Sequence, residues 1–185
     1  MYFAVLLALL ASSVEGQVVV KNARDNGNAV VYIDKIPGKT FAPPSKPLVL
    51  DQQNLTFVPH VLPVLAGTTV EFPNSDEIRH NVFSPKPLGF NLGTYEKNTK
   101  KYYRFDKPGI ATLLCNVHAE MSAYVIVTET PYFTVTGKDG KFVLKDVPAG
   151  KYTLKIWHEK AKSSTIPIEV SEASTANVPP IELKR

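Results

Sequence analysis

Sulfur is scarce in this chain. Among 185 residues there is one cysteine, Cys115, and apart from Met1 one methionine, Met121. A lone cysteine excludes an internal disulfide framework and a C-x-x-C redox pair. Histidine is also sparse, at four residues. No stretch carries apolar residues at 3.6 spacing for long, which excludes a helical architecture. No apolar run approaches the roughly 20 residues of a bilayer-crossing helix, so no membrane span is expected in the mature chain. Zinc-finger spacing, an RNP-like run and a basic helix are all missing, so nucleic acid is not an expected partner.

What is present is turn chemistry. Fifteen prolines and ten glycines punctuate short β-branched and aromatic runs, the pattern of an all-β chain. Residues 2–11, YFAVLLALLA, are continuously apolar but only about half as long as a membrane helix. They are read as a signal-peptide core, with small residues suited to cleavage after Ser13 or Gly16 and a leader of 1–16. The n-region lacks Lys or Arg, so retention as an anchor stays open. Export places the chain in the periplasm or outside the cell. A single thiol there must be occupied by something other than a second thiol.

After the leader, QVVVKNARDNGNAVVYID reads as two strands around an Asp25-Asn26-Gly27 turn. IPGKTFAPPSKP has the composition of a linker. Strand-length runs then recur from Leu48 to Thr128, and a second β unit follows with turns at Lys138-Asp139-Gly140 and Pro148-Ala149-Gly150. The formal charge is +4. Lys97, Lys100, Lys101 and Arg104 gather part of it in KNTKKYYR, either a solvated strand and turn or a steering surface.

The two sulfurs flank a histidine in CNVHAEM, residues 115–121. Copper in a thiolate site takes two imidazole nitrogens and one cysteine sulfur, with a weak axial thioether. Cys115, His118 and Met121 supply three such groups from one short loop. The second imidazole must come from elsewhere, and His80, at a strand start after Asn74-Ser75-Asp76, is better placed than His60 or His158. Those two lack a metal-ligating neighbour and read as structural. Zinc seldom uses methionine. A cysteine nucleophile would leave Met121 unexplained and has no third orienting group.

These residues resemble the cupredoxins, the small blue copper proteins. The resemblance runs through VLPVLAGTTVEFPNSDEIRHNVFS and YRFDKPGIATLLCNVHAEMSAYVIV, with the short Cys-to-Met spacing of amicyanin. It implies one type 1 copper held by His80, Cys115, His118 and Met121, with Asn81 hydrogen-bonding across to the second loop as a positioning neighbour. Over the mature chain, DQQNLTFVPHVLPVLAG, CNVHAEM and VPAGKYTLKIWH are similar to cupredoxin-like proteins of the "methylamine utilisation protein" type. VVVKNARDNGNAVVYI and TGKDGKFVLKDVPAGKYTL resemble a carboxypeptidase regulatory-like, transthyretin-like sandwich. The implied fold is a cupredoxin Greek-key β-sandwich at 48–128, inserted in or joined to a second sandwich formed by 17–47 and 129–185.

The function expected from this reading is one-electron transfer, not enzymatic turnover. A copper oxidase or nitrite reductase would need a second centre, and only His60 and His158 are spare. The expected partner is a redox protein, a cytochrome or an oxidoreductase, docking where the His118 edge meets solvent. The alternatives are a copper carrier and a copper-stabilised structural or interaction module.

Overall fold

The computed structural model describes residues 12–185, and every regular element among them is a strand. The apolar core of the leader, 2–11, lies outside the described residues. In chain order the strands begin with β1 (Ser13–Val20) and β2 (Val30–Ile33). Then come β3 (Leu48–Val49), β4 (Asp51–Gln53), β5 (Thr56–Val58), β6 (Val61–Leu65), β7 (Thr68–Pro73) and β8 (His80–Ser84). They continue with β9 (Phe90–Tyr95), β10 (Lys100–Phe105), β11 (Gly109–Leu114), β12 (Ser122–Thr128) and β13 (Phe133–Val135). The last are β14 (Lys141–Leu144), β15 (Gly150–His158), β16 (Ala161–Val170), β17 (Thr175–Asn177) and β18 (Ile181–Leu183). No described helix is long and apolar enough to cross a membrane.

Contacts divide the chain into a split unit, 12–33 with 136–185, and a continuous unit, 34–135. The continuous unit is wider than the 48–128 stretch read from composition. Its proline-rich entry is not a free linker: Ile36 is buried, and Phe41 meets Tyr132 edge to face at 5.8 Å.

In the split unit, β1 pairs antiparallel with β14 and parallel with β17 and β18, while β2, β15 and β16 form an antiparallel sheet. Alternation puts Val14, Val18 and Val20 of β1 inside. Ser13–Gly16, read from sequence as the end of the 1–16 leader, are strand residues of β1, and Val14 faces Leu144 and Ala176 in register. Small residues read as a cleavage region have a packing role. A Cβ on Gly16 would lie 2.7 Å from the Phe142 ring.

The continuous unit has one sheet in the order β10-β7-β3 and another in the order β6-β12-β11-β8-β9, with β4 and β5 as a separate hairpin. The β6–β12 pair is parallel; β12–β11, β11–β8 and β8–β9 are antiparallel. Between the sheets lies a core that includes Phe72, Phe105, Leu113, Val125, Cys115 and Met121. Each large apolar side chain taken out of water there contributes about 1.5–3 kcal/mol. β10 is an edge strand, and its exposed Lys100, Lys101 and Arg104 discourage pairing with another chain.

Candidate metal centre

His80 opens β8, immediately after the loop of residues 74–79, and its side chain is fully buried. Cys115 directly follows β11 and is 4% exposed, while His118 lies three residues further on in the same loop and is half-buried. That loop is short because the Met121 N–H bonds the His118 carbonyl at 3.1 Å, closing a turn before β12 begins. Three ligand-type atoms, one each from His80, Cys115 and His118, lie within 4.8 Å of one another. The two imidazole Nδ1 atoms are 3.1 Å apart.

Hydrogen bonding decides which nitrogen His80 offers. Its Nε2 lies 2.8 Å from Asp76 Oδ2, and a carboxylate only accepts, so the ring proton sits on Nε2 and the Nδ1 lone pair faces His118. Burial opposes ionisation of Asp76, but the Leu55 amide, His80 and the Asn54 amide outweigh it and hold the carboxyl below its ordinary range.

Asn81 spans the two loops. Its backbone N–H points to Cys115 Sγ at 3.4 Å, its Oδ1 accepts from the Asn116 amide at 3.4 Å, and its Nδ2 donates to Asn91 Oδ1 at 2.9 Å. Two imidazoles and a cysteine sulfur, mostly buried, with His80 steadied by Asp76 and Cys115 by the Asn81 amide, fit a thiophilic transition metal, and the donor set is consistent with copper. Met121 is 1% exposed and belongs to the same apolar cluster as Cys115.

The other two histidines stand apart from this cluster. His60 Nδ1 is 3.1 Å from the Ser122 carbonyl, and its ring meets Tyr124 edge to face at 5.6 Å. His158 is 5% exposed and accepts the Lys160 amide on Nδ1 at 3.1 Å. In the basic run, Lys97 meets Glu77, Lys100 meets Glu71 at 2.7 Å and Arg104 meets Asp106 at 2.7 Å. Much of that charge is locally neutralised.

Asp76, Asn91 and the pair Gln52–Tyr95 were not singled out from sequence. Gln52 is fully buried, and its Nε2 donates to Tyr95 Oη at 2.6 Å and to the Pro73 carbonyl at 2.9 Å. Tyr95 in turn donates to the Phe72 carbonyl at 3.0 Å and sits opposite His80 in the β8–β9 register. The spacing of Asp76 four residues before His80 was visible, but an Asp in a turn has many partners available.

Comparison with known proteins gives partial likenesses. The family model described as the β-sandwich domain of ER membrane protein complex subunit 7 matches residues 114–183, less than half of the chain. No curated protein matches. Among solved structures, a mutant amicyanin with Cu(I) is 24% identical, covering 44% of this chain and 81% of that one at a TM-score of 0.42. A copper-containing nitrite reductase from Thermus scotoductus SA-01 is 23% identical, over 61% of this chain and 28% of that one, at 0.44. A purple cupredoxin from Nitrosopumilus maritimus is 21% identical, over 44% of this chain and 99% of that one, at 0.40.

Proposed function

We propose that this chain is an exported electron-transfer protein of the cupredoxin kind, with one type 1 copper held by His80, Cys115, His118 and Met121. The observation that carries the reading is the convergence of two imidazoles and one thiol within 4.8 Å, with His80 and Cys115 buried and His118 half-exposed. Copper bound there would supply a one-electron couple whose potential responds to the axial ligand and to hydrogen bonds on the sulfur. The residues do the rest. His80 is fixed by Asp76, Cys115 receives the Asn81 amide, and Met121 offers a thioether from the core side of the loop. His118, the partly exposed imidazole, is the route by which a redox partner in the same compartment would reach the centre. Exposed Val117 on the same loop and Ile78 near His80 supply apolar docking surface. No catalytic turnover is proposed, because His60 and His158 are each engaged elsewhere.

The test is a Cu(II) titration followed by visible and electron paramagnetic resonance spectra. One equivalent should give an intense thiolate-to-copper band that Cys115→Ser abolishes and Met121→Leu keeps while shifting the potential. Tight zinc binding with only loose copper binding would overturn the reading. The likeness of 114–183 to a β-sandwich domain of a membrane-protein complex favours a second reading, an interaction module in which metal serves stability alone. Slow electron exchange with small cytochromes by a fully loaded, coloured protein would select it.

A further inference from the structure

The β4–β5 hairpin, Asp51–Val58, turns in two residues, Asn54 and Leu55, which connect Gln53 to Thr56 in register. Both are left-handed, with φ of 53° and 61°. Asparagine tolerates that region, but leucine rarely does, because its Cβ crowds the following carbonyl. The strain is not offset by burial of Leu55, which is 39% exposed. What the conformation does achieve is to aim two successive amides at one carboxylate. Asn54 N–H donates to Asp76 Oδ1 at 2.5 Å and Leu55 N–H to Asp76 Oδ2 at 2.9 Å.

The same Oδ2 accepts His80 Nε2–H at 2.8 Å. Further bonds fasten the hairpin to the loop that carries His80. Ser75 N–H donates to the Gln52 carbonyl at 3.0 Å and Ser75 Oγ to Asp51 Oδ2 at 2.8 Å, while within the loop Asp76 N–H donates to Asn74 Oδ1 at 3.0 Å. Asp76 is not itself placed as a ligand, since both its oxygens are engaged on the side of the ring away from Nδ1.

We propose that Asp76 is the positioning residue for His80 and that the Asn54–Leu55 tip exists to hold Asp76. The hairpin thereby fixes the His80 ring in its Nε2–H tautomer and keeps the Nδ1 lone pair turned toward Cys115 and His118. The effect on copper rests on the reading above; the effect on the ring does not.

Nitrogen NMR of the histidine rings in the metal-free, full-length protein reads the tautomer directly. Wild type should show His80 protonated at Nε2 alone. Asp76→Asn keeps the size but must turn an NH2 group toward one of three donors, and should give a mixture of tautomers. Leu55→Pro, which removes one amide and forbids positive φ, should do the same without touching Asp76. Leu55→Gly, which keeps the amide and relieves the strain, should match wild type. In copper titrations Asp76→Asn and Leu55→Pro should each lose about 10- to 100-fold in affinity, and Leu55→Gly should lose none. A single unchanged Nε2–H tautomer in folded Asp76→Asn would overturn the proposal, as would one in folded Leu55→Pro. If wild type and all variants failed to bind copper while the tautomers shifted as described, the positioning role would stand and the copper reading would fall.

Discussion

Replacing Asn81 by Ala should loosen the 115–121 loop by an amount that a chemical probe can read, because the only thiol in the chain sits under it. Asn81 is 2% exposed and its side chain makes two bonds, to the Asn116 amide and to Asn91 Oδ1. Each is worth about 1 kcal/mol net. The orphaned partners recover differently: Asn116 is exposed and finds water, and Asn91 Oδ1 keeps the Gly93 amide at 2.9 Å. A small void adds up to about 1 kcal/mol, for a total of about 2–3 kcal/mol. At about 1.36 kcal/mol per tenfold, opening that exposes Cys115 should become about 30- to 150-fold more frequent. The assay is the rate at which a thiol reagent labels Cys115 in metal-free protein, under conditions where reclosing outpaces labelling. The bond from Asn81 N–H to sulfur is a backbone bond and survives the substitution. The copper-loaded variant should therefore keep its colour while the apoprotein labels faster. An increase of less than about threefold would refute the view that this side chain clasps the loop.

Tyr95→Phe should cost about 1–3 kcal/mol in urea unfolding, since it removes the hydroxyl that receives Gln52 and donates to Phe72 in a buried setting; a change under about 0.5 kcal/mol would show the network to be neutral. Burial holds His158 below its ordinary range of 6.5, so the unfolded chain takes up that proton first as pH falls. Stability should therefore decline below about pH 6.5, with no contribution above it, and His158→Gln should flatten the slope between about pH 6.5 and 5.5; an unaltered slope would assign the decline to other groups. Gly140 has φ of 76° and a Cβ there would overlap the Val18 carbonyl oxygen. Gly140→Ala should lower the thermal midpoint by several degrees or prevent soluble expression, and a midpoint within about one degree of wild type would mean that the turn repacks freely.

The all-β class was legible because alternation and turn residues are local signals. Val18 and Val20 alternate as a half-buried strand should, and Asp139-Gly140 marks a tight turn. The loop with Cys115 and His118 could be read from spacing alone, because three residues of unusual chemistry fall on one turn. The start of β1 was obscured because Ser13, Glu15 and Gly16 carry no apolar signal, and the need for Gly16 arises only when Phe142 packs over it. The link from the β4–β5 hairpin to His80 could not be read either. It is made of side chain to backbone bonds between residues about 20 apart, for which sequence has no periodicity. The tip also breaks the usual Asn-Gly pattern, with leucine where glycine is common.

The loop from Cys115 to Met121 is anchored at both ends by buried residues, while Asn116, Val117, Ala119 and Glu120 between them face solvent. Mutational tolerance in this protein should therefore be concentrated beside its most demanding chemistry. Those four positions can be randomised with little effect on the core, yet each is a near neighbour of His118 in the chain. A library built on them would explore partner choice and surface charge at a fixed fold, and selection for a new docking partner would start from that loop.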